Sequence, residues 1–365
     1  MYITEIELHN FRNYKSLKLQ FHKNVNLILG KNAQGKTNLL ESIYMTSMGK
    51  SFRTNKDSDM ILFDQEFGRI QVHAEKSYLD TTVELTIGKD SKKAAKVDGV
   101  KIKKASQLLK NIYIVIFSPE DLKIVKDEPE KRRKFIDREL CQIRPLYYEH
   151  LSSYKKILMQ RNAYLKEREI DSSILDIWDM QLAKYGASIM FMREDFIKKI
   201  NGISKSIHKS ITNEKEELEI QYHPNANLEN SLKRQEEIYY QLIRSSLDHD
   251  LRQRTTTKGP HKDDLEFTID GINVRSFGSQ GQQRTSALSL KLAELHLIEE
   301  ETGEKAILLL DDVMSELDLE RQEYLIKSLS DMQLFITTTE IPEKLKETLP
   351  KGKSFFVEKG MVEEI

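Results

Sequence analysis

Two periods of hydrophobic and polar residues divide the chain. Ile6 and Leu8, then Leu17, Leu19 and Phe21, then Ile70, Val72 and Ala74, then Val83, Leu85 and Ile87 alternate with polar neighbours. That is the period of strands with one covered face and one wet face, and it predicts antiparallel pairing. Val97-Asp98-Gly99-Val100 sets the turn dipeptide Asp-Gly between short β-prone pieces and predicts a two-residue hairpin. Val25 to Leu29 and Tyr113 to Phe117 are instead largely continuous apolar runs, as expected for strands covered on both faces. The first 117 residues therefore predict two kinds of sheet.

From about Glu130 to Leu251 the pattern becomes helical, with breaks near Pro145, at Asp171-Ser172-Ser173 and at His223-Pro224-Asn225. Leu151, Tyr154, Ile157, Leu158, Arg161 and Leu165 recur at helical spacing, and Ile177, Met180, Ala183, Tyr185 and Ile189 do so less tidily. No heptad is sustained, so packed helices are expected rather than a long coiled coil. Leu265, Phe267 and Ile269 resume strand alternation, a helix is expected from Gln283 to about Glu301, and Ile307 to Leu310 opens a second α/β segment. The expected architecture is an α/β head, a mixed sheet plus an antiparallel part, split into 1–129 and 256–365 by an inserted helical arm over 130–255.

Composition narrows the class. A chain of 365 residues with 39% apolar and 32% charged residues is globular, neither disordered nor fibrous. The formal charge is only -1, so any basic surface has to be local. Apolar runs such as Ile112 to Phe117 and Ala306 to Leu310 are far below the roughly 18 to 20 residues that span a bilayer. The opening Met-Tyr-Ile-Thr-Glu lacks a signal-peptide pattern, so a cytoplasmic location is expected. With one cysteine, Cys141 in a helical pattern, the chain forms neither an intramolecular disulfide nor a thiolate zinc cluster, and a buried thiol is expected.

Residues 30 to 37, GKNAQGKT, match G-x-x-x-x-G-K-[ST]. The apolar strand Val25 to Leu29 precedes them, and a helix face of Leu39, Leu40, Ile43 and Tyr44 follows. Gly30 and Gly35 free the backbone so that the amides of Lys31, Asn32, Ala33 and Gln34 can turn toward a phosphate, helped by the helix N-terminus. Lys36 brings an ammonium to the β and γ phosphates and Thr37 a hydroxyl to magnesium. Magnesium takes oxygen ligands and only one or two carboxylates. Asp311, ending the apolar strand Ala306 to Leu310, is the candidate metal carboxylate, and Asp312 can orient or deprotonate the attacking water. Lys36, Asp311 and Asp312 are thus the catalytic candidates, with ATP and Mg2+ as cofactors.

Ser279-Gln280-Gly281-Gln282 leads into an apolar helix of Leu288, Leu290, Leu292, Ala293 and Leu295. A hydroxyl, free amides and a positive helix end suit a γ phosphate. The arrangement resembles that of ABC-type ATPases, in which this segment contacts nucleotide held by the other subunit.

Taken together, these segments resemble the bacterial RecF recombination and repair proteins, relatives of the SMC ATPases. The resemblance is carried by Asn10-Phe11-Arg12-Asn13-Tyr14, GKNAQGKTNLLESIY from Gly30, Gly49-Lys50-Ser51-Phe52-Arg53 and Phe117-Ser118-Pro119-Glu120-Asp121-Leu122. Arg132 to Asp137, Gly259-Pro260-His261-Lys262-Asp263-Asp264, Ser279 to Thr285 and Leu310 to Asp318 extend it. It implies an ABC-type head, adds Arg12, Asn38 and Asp318 to the nucleotide contacts, and implies an ATP-dependent homodimer with weak, DNA-stimulated hydrolysis. It further implies repair of gaps and stalled forks, the SOS response to DNA damage, binding near single-strand to double-strand junctions, and cooperation with RecR, and through it RecO, to load RecA.

This sequence departs from the general ABC pattern at two positions, and the usual glutamine after the strand Tyr113 to Phe117 is not placed in it. Asp312 stands where most carry Glu, Thr337-Thr338-Thr339 stands where many carry a switch histidine, and Ser118 and Glu120 occupy the region of the usual glutamine. Slow hydrolysis is the expectation. Backbone-directed DNA contact is expected from three clusters: seven lysines between Gly88 and Lys104, then Arg252, Arg254, Lys258 and Lys262, then Lys131-Arg132-Arg133-Lys134. One rival, the ATPase subunit of an ABC transporter, needs no helical arm of this kind, and another, an SMC-like tether, needs a long coiled coil.

Overall fold

The alternating segments at the start of the chain become a six-stranded antiparallel sheet. Its order is Tyr14–Gln20, Tyr2–Phe11, Phe67–Glu75, Thr81–Gly88, Ala94–Val97 and Val100–Lys101. Ile6, Leu8, Ile70, Val72, Val83 and Leu85 fill its covered face, and Asp98 and Gly99 both take positive φ in the hairpin turn. The computed structural model describes residues 1–329, 331–340 and 349–365.

The continuous apolar runs form a second six-stranded sheet, ordered Met361–Glu364, Gly352–Glu358, Val25–Leu29, Leu334–Thr338, Ile307–Asp311 and Ile114–Phe117. Only the hairpin of the first two is antiparallel; the other pairings are parallel. The parallel register sets Asp311 beside Thr337 and Thr338 beside Leu29, so the strand ends that carry polar chemistry share one edge. The helix Lys36–Met48 buries Leu39, Leu40, Ile43 and Met45 in a core that also takes residues from both sheets, Ile28 and Phe335 from one and Ile6 and Val72 from the other. These parts make one compact unit, Met1–Lys123 with Ala287–Ile365.

The second unit is Ile124–Ser286. Its longer helices are Pro129–Ile143, Pro145–Tyr164, Ser172–Ile211, Leu232–Ser245 and Leu247–Gln253. Breaks fall at Pro145, where proline opens a helix, and at Asp171, whose carboxylate caps the next helix through the Ser173 N–H. Cys141 is buried in the first of these helices.

Three details differ from the sequence pattern. Leu218–His223 is a strand, pairing with Asp264–Ile269, which pairs in turn with Ile272–Asn273. This sheet keeps residues beyond 255 in the second unit, whereas the sequence placed the arm over 130–255 and the head's return at 256. In the helix Ser172–Ile211, Ile177 and Met180 face outward, at 53% and 50% exposure, while Leu175, Asp179, Leu182 and Gly186 form the buried stripe. Arg132, read as part of a basic cluster, is buried: its guanidinium pairs with Asp264, Nε to Oδ1 at 2.6 Å and Nη2 to Oδ2 at 2.9 Å.

Candidate nucleotide site

The phosphate-binding loop is shaped by backbone that only glycine tolerates. Gly30 has φ 152° and Gly35 φ 123°, and a Cβ there would lie 2.4 Å from the Val357 carbonyl oxygen and 2.6 Å from Asn13 Nδ2 respectively. Ala33 is left-handed at φ 64°, and Lys31, Asn32 and Ala33 are exposed. Loops that mix such conformations gather N–H groups into an anion-binding concavity. Groups outside the motif hold this loop, among them the Tyr14 hydroxyl, which donates to the Gly35 carbonyl at 2.9 Å. Asn13 Nδ2 donates to the Gln34 carbonyl at 2.9 Å, and the hairpin turn at Lys359 and Gly360 donates backbone N–H to Gln34 Oε1 at 2.8 Å and to its carbonyl at 3.2 Å.

Lys36 is buried at 4% exposure, and its ammonium donates to the carbonyls of Gly30 at 2.7 Å and Lys31 at 3.2 Å. The charge thus lies under the loop at a helix N-terminus, where phosphate oxygens are drawn. Thr37 Oγ1 donates to Asp311 Oδ1 at 2.9 Å, and Thr337 Oγ1 donates to the same oxygen at 3.0 Å. Burial pushes the Asp311 carboxyl up, while the two hydroxyls and the positive field of Arg53 pull the other way. A hydroxyl and one buried carboxylate, both hard oxygen donors side by side, fit a magnesium ion that takes its remaining ligands from phosphate and water.

Asp312 is left-handed at φ 52°, ψ 12°. Its N–H donates to Thr337 Oγ1 at 2.9 Å and its carbonyl accepts from Ser315 Oγ at 2.8 Å. One hydroxyl, that of Thr337, therefore orders both acidic residues. In the sequence Thr337 stands only where many ABC ATPases carry a switch histidine; the parallel register is what brings residue 337 to residues 311 and 312.

Arg12, Asn13 and Asn38 also come to this site. Asn38 Nδ2 donates to Asn13 Oδ1 at 2.8 Å, and Arg12 grips Glu41 through Nε at 2.8 Å and Nη2 at 2.7 Å. Arg53 donates to Asn38 Oδ1 at 2.7 Å. Neither Glu41 nor Arg53 was singled out for a role from sequence, although both lie within the family-like segments. Ser118 donates from its N–H and hydroxyl to Asp121 Oδ2, at 2.9 and 2.8 Å. Asp318 caps the helix Leu319–Ser328 through the Arg321 N–H at 3.0 Å.

The structure thus brings Arg12, Gly30 to Asn38, Asp311 and Asp312 together in the first unit. Ser279 to Gln282 belong to the second unit, and the division falls within the helix Gln280–Thr302. Ser279 N–H donates to Gln282 Oε1 at 2.9 Å and Gln282 N–H to Ser279 Oγ at 3.2 Å, a capping box. Ser279 and Gln280 are exposed.

The family model for the RecF/RecN/SMC N terminal domain matches residues 2–357. The chain is similar to the DNA replication and repair protein RecF of Alkaliphilus oremlandii, 45% identical over 370 positions and covering 100% of both chains. It is 47% identical over 346 positions to the protein of the same name from Clostridioides difficile, covering 94% of this chain and 93% of that one. Among solved structures, the recombination mediator protein RecF-ATPrS of the RecFOR pathway superposes with a TM-score of 0.93 at 39% identity, over 100% of this chain and 98% of the other. An Smc head bound to the C-winged helix domain of ScpA, at 15% identity and TM-score 0.57, covers 100% of this chain and 97% of the other and shares the fold.

Proposed function

The chain belongs to the RecF family within the RecF/RecN/SMC group, and from that premise we propose that it is an ATP- and magnesium-dependent switch that closes as a homodimer on DNA. The observation that carries the reading is the Thr37 hydroxyl 2.9 Å from the Asp311 carboxylate, with the Lys36 ammonium buried under the adjoining loop. Those groups meet only where a nucleotide's β and γ phosphates and their metal would lie. No helix among the described residues is long and apolar enough to cross a membrane, and the family match sets aside the transporter subunit.

In this reading the loop amides and Lys36 hold the phosphates, and Thr37 and Asp311 hold the metal. Magnesium, when bound, neutralises charge on the phosphate oxygens. Asp312 accepts the proton of the attacking water from a backbone fixed by Thr337 and Ser315. Its side chain is one methylene shorter than Glu, so the carboxylate stands back and turnover is slow until closure tightens the site. Ser279, exposed at a helix N-terminus, completes the site of a second copy. Because hydrolysis is slow, the closed dimer persists on DNA and serves as a platform for loading RecA with RecR and RecO, rather than as a motor.

DNA contact is supported by a cleft of the first unit lined by Lys50, Lys103 and Lys104 beside Ser51, Thr54 and Asn55, in which Lys93 pairs with Asp57 at 2.7 Å. Lysines and small polar groups suit phosphate backbone without base readout. In the second unit Arg252, Arg254 and Lys262 are exposed.

Analytical ultracentrifugation with and without ATP tests the shared site. ATP should convert monomer to dimer, and Ser279→Arg should block the shift while each chain still binds ATP. A wild type that stays monomeric with ATP, or a variant that still dimerises, refutes it.

A further inference from the structure

A buried carboxylate on the phosphate-loop helix gathers more donors than its own helix needs. Glu41 is 0% exposed and lies five residues after Lys36, toward the middle of the helix Lys36–Met48. Its Oε1 accepts from Arg12 Nη2 at 2.7 Å and from the Ser51 hydroxyl. Its Oε2 accepts from Arg12 Nε at 2.8 Å and from Arg53 Nη1 at 3.4 Å. An unpaired buried carboxylate would cost several kcal/mol; here it meets two guanidiniums, and the cluster of three carries one surplus positive charge.

That surplus sits at the nucleotide site. Arg53 also donates to Asn38, the residue after Thr37, at 2.7 Å. Arg12 is next to Asn13, which holds the phosphate loop through Gln34. Arg12 is moreover left-handed at φ 53°, in the two-residue turn between the strands Tyr2–Phe11 and Tyr14–Gln20. Three contacts hold it there: its N–H donates to the Met60 carbonyl at 2.9 Å, its Nη1 to the Asp59 carbonyl at 2.5 Å, and its guanidinium is gripped by Glu41.

We propose that Glu41 is a positioning residue: its carboxylate fixes Arg12 and Arg53 as a pre-formed cationic pair whose surplus charge is completed by the phosphates of ATP. The segment Gly49 to Arg53 is thereby tied to the phosphate-loop helix through Ser51 and Arg53. Glu41 touches no substrate atom; it acts through the two arginines. The inference rests on the nucleotide-site reading.

The test is Glu41→Gln, which keeps the volume and removes the charge, measured by ATP affinity, single-turnover hydrolysis and thermal melting. Misplacing charged groups by about 1 Å costs on the order of 100-fold in rate. Hydrolysis should therefore fall by about that factor, with a much smaller change in ATP affinity. Glu41→Asp, retaining the charge on a shorter arm, should recover part of the rate. An Arg12→Gln/Arg53→Gln variant and the triple variant should both match Glu41→Gln to within a few-fold, because groups acting as a unit are not additive. A wild-type rate in Glu41→Gln, losses that multiply in the triple variant, or loss of the folded state in Glu41→Gln overturns the proposal. A wild type that binds no ATP refutes the nucleotide site itself, a distinct result.

Discussion

Asp312 allows the backbone and the chemistry of one residue to be tested separately. Its left-handed conformation, φ 52° and ψ 12°, costs a residue with a Cβ roughly 1–2 kcal/mol, less for Asp and Asn. Asp312→Asn should therefore leave the melting temperature near wild type. Asp312→Ala, which keeps the Cβ and loses the side-chain relief, should cost about 1 kcal/mol, or roughly 2–4 °C for a unit of this size. Chemistry separates differently. Both variants lose the proton acceptor, and general-base effects of about 10²–10⁴-fold correspond to roughly 3–5 kcal/mol of barrier. In single-turnover hydrolysis with ATP in excess of its dissociation constant, both should be slow, by about the same factor, despite different melting temperatures. ATP-driven dimerisation should survive in Asp312→Asn, and its residence on DNA should lengthen. If Asp312→Asn hydrolyses at the wild-type rate, Asp312 is not the proton acceptor. If Asn lowers melting as much as Ala, the argument from the left-handed backbone is wrong. If hydrolysis stops while DNA release is unchanged, slow hydrolysis does not time release.

Four further outcomes follow from particular contacts. Lys36→Met removes the ammonium bound to the Gly30 and Lys31 carbonyls and should weaken ATP binding by about 10- to 100-fold with an unchanged circular dichroism spectrum; undiminished binding by calorimetry would contradict it. Thr337→Val, nearly isosteric, removes the donor to Asp311 and the acceptor of the Asp312 N–H; half-maximal hydrolysis should need more magnesium, Thr337→Ser should restore it, and an unshifted magnesium titration would show that the hydroxyl does not order Asp311. Burial pulls His261 down to about 4, so it stays neutral while the unfolded chain, near 6.5, takes up a proton: the stability it contributes is present above pH 6.5 and lost as pH falls toward 4, on the order of 2–3 kcal/mol. Urea melts between pH 7 and 4 should show that loss diminished in His261→Gln, and parallel profiles would refute it. Arg161→Met takes from the buried carboxylates of Asp179 and Asp250 a guanidinium 2.6 and 2.7 Å away, leaving Asp179 to Arg244 at 3.2 Å and Asp250 to the Thr257 N–H and hydroxyl, and should cost about 3 kcal/mol, read from the urea midpoint; a loss below 1 kcal/mol would mean water already reaches that cluster.

The local features of this chain were legible because local chemistry fixes them. A strand, two glycines and a helix N-terminus within Val25 to Tyr44 fold into the loop their spacing predicts, and an Asp-Gly pair between β-prone residues turns the chain at Asp98. The alternating segments paired as their period required, and Leu39, Leu40, Ile43 and Tyr44 were buried as their spacing indicated. The strand Leu218–His223 was lost in a helical pattern because only Leu218 and Ile220 mark its covered face; its pairing with Asp264–Ile269, more than forty residues away, decides its form. Ile177 and Met180 point outward because Asp179, compensated by Arg161, takes the buried stripe that apolar counting reserved for them. Arg132 reads as surface charge until Asp264 is placed beside it. Glu41 reads as an ordinary polar helix residue until Arg12 and Arg53 close on it, and Thr337 becomes meaningful only when the parallel register sets it next to Asp311. A hydrophobic period reports which face a residue takes over a few turns, but a buried charge or hydroxyl is satisfied by a partner distant in sequence, and only the tertiary structure chooses that partner.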